Sequence, residues 1–257
     1  EFRRLAVINQ SANTASHELG HIQGLRHHDS IGAPGTGLPA AIVPGDFLPV
    51  LETDQDAIET LTHVMASGAS VGLALNSPPF VDRFFSERSA VKLAINGRTR
   101  VIDETTTQIT GGDLGLKKVV GANPVLTGEN ADGKLDIRAV LVEGNIGVED
   151  EADTYQFKAK AGEVFNAELI SWTDLNFADP IVGEITLSLQ QADGSFAPVA
   201  ENRLSFEGLD PLLFDYELPA SGTYQIEVTA PALLDVGGGA FLDLAQLGFT
   251  GYTTGDY

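Results

Sequence analysis

The sequence predicts an α+β chain, with a mainly helical first part followed by an antiparallel β-sandwich. Three observations carry that expectation. Residues 1–104 hold 8 Lys and Arg against 12 Asp and Glu, whereas residues 105–257 hold 7 against 24. All five histidines and the single methionine lie within the first 65 residues. From about Val119, helical spacing of apolar residues gives way to short alternating runs broken by turn residues. The run Thr105-Thr106-Thr107 and the pair Gly111-Gly112 punctuate the change. Residues 1–104 therefore form one expected domain and 105–257 a second, with a connector at about 105–118.

Taken in order, Leu5–Ile8 is a short apolar run, and Ser11–Leu25 reads as a helix because Ala12, Ala15, Leu19 and Ile22 recur at helical spacing. Asn13, Thr14 or Ser16 can cap its start, and Gly24 can end it in a left-handed conformation. Residues 29–50 are rich in Gly and Pro and predict a long loop. A second helix is expected around Gln55–His63 and a third over Val81–Ile95, packed through Phe84, Phe85, Arg88, Val91 and Leu93. Strands follow at Leu135–Glu143, Thr154–Ala159, Val164–Ser171, Ile185–Gln190, Leu212–Glu217 and Thr223–Ala230, with Asp193-Gly194 as a hairpin turn. Six strands at this spacing suggest a sandwich.

Composition narrows the function classes. With 43% hydrophobic residues the chain can bury a core, so wholesale disorder is excluded. A net charge of -21 argues against a nucleic-acid partner, which would need clustered Lys and Arg to neutralise phosphates. No cysteine is present, so disulfides and thiolate chemistry are excluded. The longest uncharged stretches, such as Ala66 to Val81, contain Asn76, Pro78 and Pro79 and are too short to span a bilayer.

Chemistry is concentrated in His17-Glu18-Leu19-Gly20-His21-Ile22-Gln23-Gly24-Leu25-Arg26-His27. Two histidines four apart on a helix point from one face and can grip one ion. Gly24 lets the backbone turn sharply and bring His27 round as a third ligand. Three nitrogens with one open position make the donor set of a catalytic Zn2+. Glu18, next to the first ligand, is placed as general base and acid. The pentad alone also fits a solvated helix, but Gly24 and His27 make the pattern far more restrictive. Glu59 is a rival third ligand that His27 makes unnecessary.

The string resembles the metzincin metallopeptidases, whose signature is H-E-x-x-H-x-x-G-x-x-H followed by a methionine turn. The resemblance covers about residues 5–100. It implies that Met65, in His63-Val64-Met65-Ala66-Ser67-Gly68, lies beneath the metal as an apolar floor. It also implies a mainly helical C-terminal portion of a catalytic domain. Ser67 stands where some subfamilies carry a tyrosine ligand. His28 reads as a solvent-facing neighbour, His63 as structural or substrate-facing, and Asp29 as orienting a ligand or anchoring the loop. Only 16 residues precede His17, too few for the family's N-terminal sheet, so the chain is expected to be part of a longer precursor.

The stretches Glu149–Phe157, Ala161-Gly162-Glu163 and Ala220–Val228 resemble bacterial pre-peptidase C-terminal domains, small β-sandwiches appended to secreted peptidases. This resemblance covers roughly residues 120–230 and implies a role in secretion, targeting or surface binding. The acidic residues here read as a solvated surface. Glu129–Asp136 hints at a Ca2+ loop, although an ordinary turn fits it better. Trp172 reads as core rather than a sugar platform.

These features together point to a secreted bacterial zinc endopeptidase acting on protein or peptide substrates, with a sandwich that reaches an extracellular or cell-surface partner. The rival is a non-catalytic exported binding or adhesion module with a vestigial or structural metal site. Glu18 speaks against it, because a structural zinc needs no base.

Overall fold

The computed structural model describes residues 2–30, 63–66, 85–96, 101–104, 111–118, 137–148, 151–171, 181–202, 210–231, 233–237, 240–243 and 254–257. The chain forms two compact units that interleave in sequence. The first holds residues 1–99 and 117–139, and the second holds 100–116 and 140–257.

The first unit is built on α1 (Phe2–Ile22), a 3-10 turn (His27–Ser30), α2 (Glu87–Asn96) and the paired strands β3 (Lys117–Lys118) and β4 (Arg138–Ala139). A helix forms where Ser11–Leu25 predicts one, but it already starts at Phe2 and ends at Ile22. Leu5–Ile8 therefore belongs to it, and Asn13, Thr14 and Ser16 lie inside it rather than capping it. The face it buries is the opposite one. Ala12, Ala15, Leu19 and Ile22 are exposed, while Asn13, Ser16, His17, Gly20, His21 and Gly24 line the covered side at the same helical period. The helix ends in a Schellman motif: the Leu25 N–H donates to Gly20 O at 3.0 Å and the Gly24 N–H to His21 O at 2.9 Å. Gly24 sits at φ +80°, where a side chain would be strained. In α2, Ser86 is the N-cap, its Oγ accepting the Ser89 N–H at 3.0 Å. Val91 packs with Ala94, Ile95, Ile137 and Ala139.

The second unit is sandwich-like. A five-stranded sheet runs in the order β2 (Gly112–Asp113), β6 (Ala152–Ala159), β11 (Gly222–Thr229), β8 (Glu184–Gln190), β9 (Phe196–Asn202). Every pairing in it is antiparallel except β2 with β6. The antiparallel pair β7 (Val164–Glu168) and β10 (Leu212–Glu217) packs on it, with Phe165 stacked on Phe157 at 5.1 Å between ring centroids. A third sheet joins β1 (Val101–Glu104), β5 (Leu141–Ile146) and β14 (Gly255–Asp256), and β12 (Leu233–Gly237) pairs with β13 (Ala240–Asp243). Between these layers lies one core that includes Ile146, Tyr155, Leu187, Leu213 and Tyr224. Tyr224, fully buried, donates its OH to Ala220 O at 2.6 Å and ties the strand to the turn before it. The Asp193-Gly194 hairpin forms as the sequence indicates: Asp193 Oδ1 accepts the Ser195 N–H, and Gly194 takes φ +88°.

The expectation of a mainly helical first part is overturned. Strand outweighs helix, 42% against 23%, and only two α-helices occur among the described residues. His63, placed at the end of a predicted helix, instead sits in a β-bridge that opens a tight turn; residues 55–62 lie outside the described residues. The third predicted helix begins at Glu87 rather than Val81, because Ser86 caps it and residues 85–86 are not helical. The solvated-surface reading of the acidic residues also fails in part, since Glu151, Asp153 and Asp210 are buried. Glu151 Oε2 accepts the backbone N–H groups of Gly147 and Val148, which compensates its burial. Glu59, Ser67, Gly68, Trp172 and the stretch Glu129–Asp136 lie outside the described residues.

Candidate metal centre

The first unit gathers His17, His21 and His27, half-buried, with one donor atom from each lying within 4.8 Å of the others. The sequence dictates how. His17 and His21 stand one turn apart on the covered face of α1. The Schellman cap then reverses the chain at Gly24, and His27 returns as the first residue of the 3-10 turn.

The ring nitrogens have distinct partners. His17 Nδ1–H donates to Val64 O at 2.7 Å, and His21 Nδ1–H donates to Leu25 O at 2.9 Å. A carbonyl only accepts, so in each neutral ring the proton is on Nδ1 and Nε2 carries the lone pair. Those Nε2 atoms face each other at 3.1 Å, and His17 Nε2 lies 3.2 Å from His27 Nε2. Two lone pairs at that distance repel unless a cation lies between them. Burial, followed by the charges of His21 and His27, pulls the His17 pKa below its usual value against the opposing Val64 bond, which favours its neutral ring. Ligand nitrogens of a tetrahedral zinc stand about 3.3 Å apart, given Zn–N near 2.0–2.1 Å. The donor set therefore fits such an ion in chemistry and spacing, with the backbone carbonyls orienting the rings from behind.

Met65 packs against Gly20 on the covered face of α1. The turn His63–Ala66 is closed by the Ala66 N–H donating to His63 O at 3.2 Å, and Met65 within it is fully buried. Its sulfur presses on Gly20, where an added Cβ would overlap it. Glu18 is exposed and takes no part in the ligand cluster, yet its charge acts on His17. His28 does not face solvent as the sequence suggested. It is buried, with Nε2 3.8 Å from Asp29 Oδ1. His63 is structural: its Nδ1–H donates to Ser30 O and fastens the methionine turn to the 3-10 turn.

Asp29 anchors the loop. Its carboxylate accepts the Arg26 N–H at 2.7 Å and the Lys92 ammonium at 3.0 Å. Sequence reasoning missed Val64, Leu25, Ser86, Ser89 and Lys92 at this site. Leu25 follows from the helix end and Val64 adjoins Met65, so both had a local signal. The pairing of Asp29 with a lysine 63 residues away had none.

Among the described residues no helix is long and apolar enough to cross a membrane. Compared with protein-family models and with curated proteins, the chain matches none.

Proposed function

We propose that this chain belongs to an exported zinc-dependent endopeptidase, with His17, His21 and His27 as ligands and Glu18 as general base and acid. The observation that carries the reading is the convergence of Nε2 lone pairs whose Nδ1–H groups are already committed to Val64 and Leu25. Bound zinc supplies a Lewis acid that lowers the pKa of water toward neutrality and polarises a peptide carbonyl. The remaining chemistry falls to the chain. Glu18, solvent-exposed beside the first ligand, takes a proton from the attacking water and delivers it to the amine nitrogen as the C–N bond breaks. The Val64 and Leu25 carbonyls hold both rings in the tautomer that keeps Nε2 free to ligate. Met65 fills the space beneath α1 and fixes its height through Gly20.

The substrate class is protein or peptide. We assign the sandwich to secretion or to surface binding, on the strength of the motifs around Tyr155 and Tyr224, both of which are buried in its core. Hydrolysis of a generic protein substrate by the chain and by Glu18→Ala, with zinc measured in both, tests the reading. The expected result is equal zinc and a loss of roughly 10²–10⁴-fold in rate for the variant. Equal zinc with proteolysis in neither would favour a non-catalytic exported module.

A further inference from the structure

The loop that carries His27 is tied down by a polar cluster outside the three-histidine site. Asp29, buried, receives the Arg26 N–H at 2.7 Å and Lys92 Nζ at 3.0 Å on one carboxylate oxygen, Oδ2. Its backbone oxygen receives the hydroxyls of Ser86 and Ser89, the latter at 3.1 Å. Ser30 Oγ donates to His27 O at 2.7 Å, and the Asp29 N–H donates to Arg26 O at 3.0 Å. The 3-10 turn is therefore held from both sides of the peptide by the first turns of α2, and His27 is its first residue.

The energetics favour the pair being specific. A carboxylate this buried is unstable without charged or hydrogen-bonding partners. The Lys92 side chain is 16% exposed and the Asp29 side chain 4%, so solvent screens the contact little. Losing the ammonium would leave the carboxylate short of a partner and free it to rotate away from the Arg26 N–H, which precedes His27 directly.

We infer that Asp29, clamped by Lys92, is a positioning residue for the third metal ligand, so that affinity for the ion depends on α2. The inference rests on the metal-centre reading above and deepens it. The clamp acts by holding His27 Nε2 at the separation from His17 Nε2 that an ion requires. In the metal-bound chain, loss of the clamp raises dissociation of the ion and distorts its ligand field.

The test is a titration of the whole metal-free chain with Co2+, following visible absorption, alongside Lys92→Met, Lys92→Arg and Asp29→Asn. Thermal midpoints of the metal-free proteins are recorded in parallel. The parent should bind one Co2+ with the intense absorption of a tetrahedral site. Lys92→Met should bind at least about tenfold more weakly with an altered spectrum, in keeping with the usual effect of groups that orient ligands. Lys92→Arg, which keeps a cation in reach, should recover most of the affinity and the parent spectrum. Equal affinity and identical spectra in parent and Lys92→Met would overturn the clamp, whatever the thermal midpoints show. Should Asp29→Asn fail to fold, the Lys92 pair alone decides. No Co2+ bound by the parent would instead overturn the metal-centre reading on which the clamp rests.

Discussion

His17 and Val64 are joined by a hydrogen bond of 2.7 Å from the imidazole Nδ1–H to the backbone oxygen, across 47 residues of sequence. The next residue, Met65, sets its sulfur against Gly20, almost one turn further along the same helix. Two successive rungs of α1 are thus fixed to one tight turn. The first contact selects the tautomer of His17 and the second sets how closely the turn approaches. The geometry of the candidate metal centre is therefore a property of the packing between α1 and the turn, as much as of the histidine spacing.

Gly20 should not tolerate a methyl group. Alanine would gain up to about 1 kcal/mol in helix propensity, but overpacking against a buried side chain costs about 1–3 kcal/mol. Met65 is fully buried and has little room to yield. Gly20→Ala is expected to destabilise the first unit in denaturant titrations. Met65→Ala should cost about 2–5 kcal/mol through the cavity it leaves. The double variant should be more stable than the two costs added together, because the new methyl fills part of that cavity.

Gly24→Ala tests the end of the helix. At φ +80° a Cβ costs about 1–2 kcal/mol, and relief of that strain would re-aim the chain that carries His27. Both the thermal midpoint and the zinc affinity should fall. A variant that loses stability but keeps its affinity would separate the cap from the ligand.

The pH dependence follows from His17. Burial first, then the charges of His21 and His27, depress its folded-state pKa below the ordinary histidine value of 6.5. The folded state thus favours the neutral ring. The associated stability is fully present above about pH 6.5 and is lost as pH falls through the lower, folded value. The thermal midpoint of the metal-free chain should decline below pH 6.5, and less steeply in His17→Asn.

In the second unit, the Tyr257 hydroxyl donates to Asp153 Oδ2 at 2.7 Å and stands 2.7 Å from the Tyr155 hydroxyl. Burial pushes this phenol well above the usual tyrosine range, so it remains a donor. Tyr257→Phe removes a partner from the fully buried Asp153 and should cost about 1–3 kcal/mol. Zinc content should be unchanged, and differential scanning calorimetry with elemental analysis reads both.

Much of the sandwich was legible because its signals are local. Leu212–Glu217 was placed at its observed bounds, and the Asp193-Gly194 turn carries its own Asx hydrogen bonds. The grouping of His17, His21 and His27 was legible for the same reason, being set by four-residue helical spacing and one glycine. What failed depends on contacts distant in sequence. The covered face of α1 bears histidines and a glycine, because it meets a turn some 47 residues on, so hydrophobicity pointed to the wrong side. His28 reads as a surface residue in the sequence, and the partners that seat its neighbour Asp29, which are Lys92, Ser86 and Ser89, lie 57 to 63 residues further on. The helix content was overestimated because Ser86 caps α2 late and His63 enters a bridge, neither of which propensity reveals.

The most direct test of the metal centre is elemental analysis of the purified chain beside a His17→Ala/His21→Ala variant. The account predicts about one zinc per parent chain and none in the variant. A parent without zinc, or a variant that keeps it, would contradict the three-histidine site.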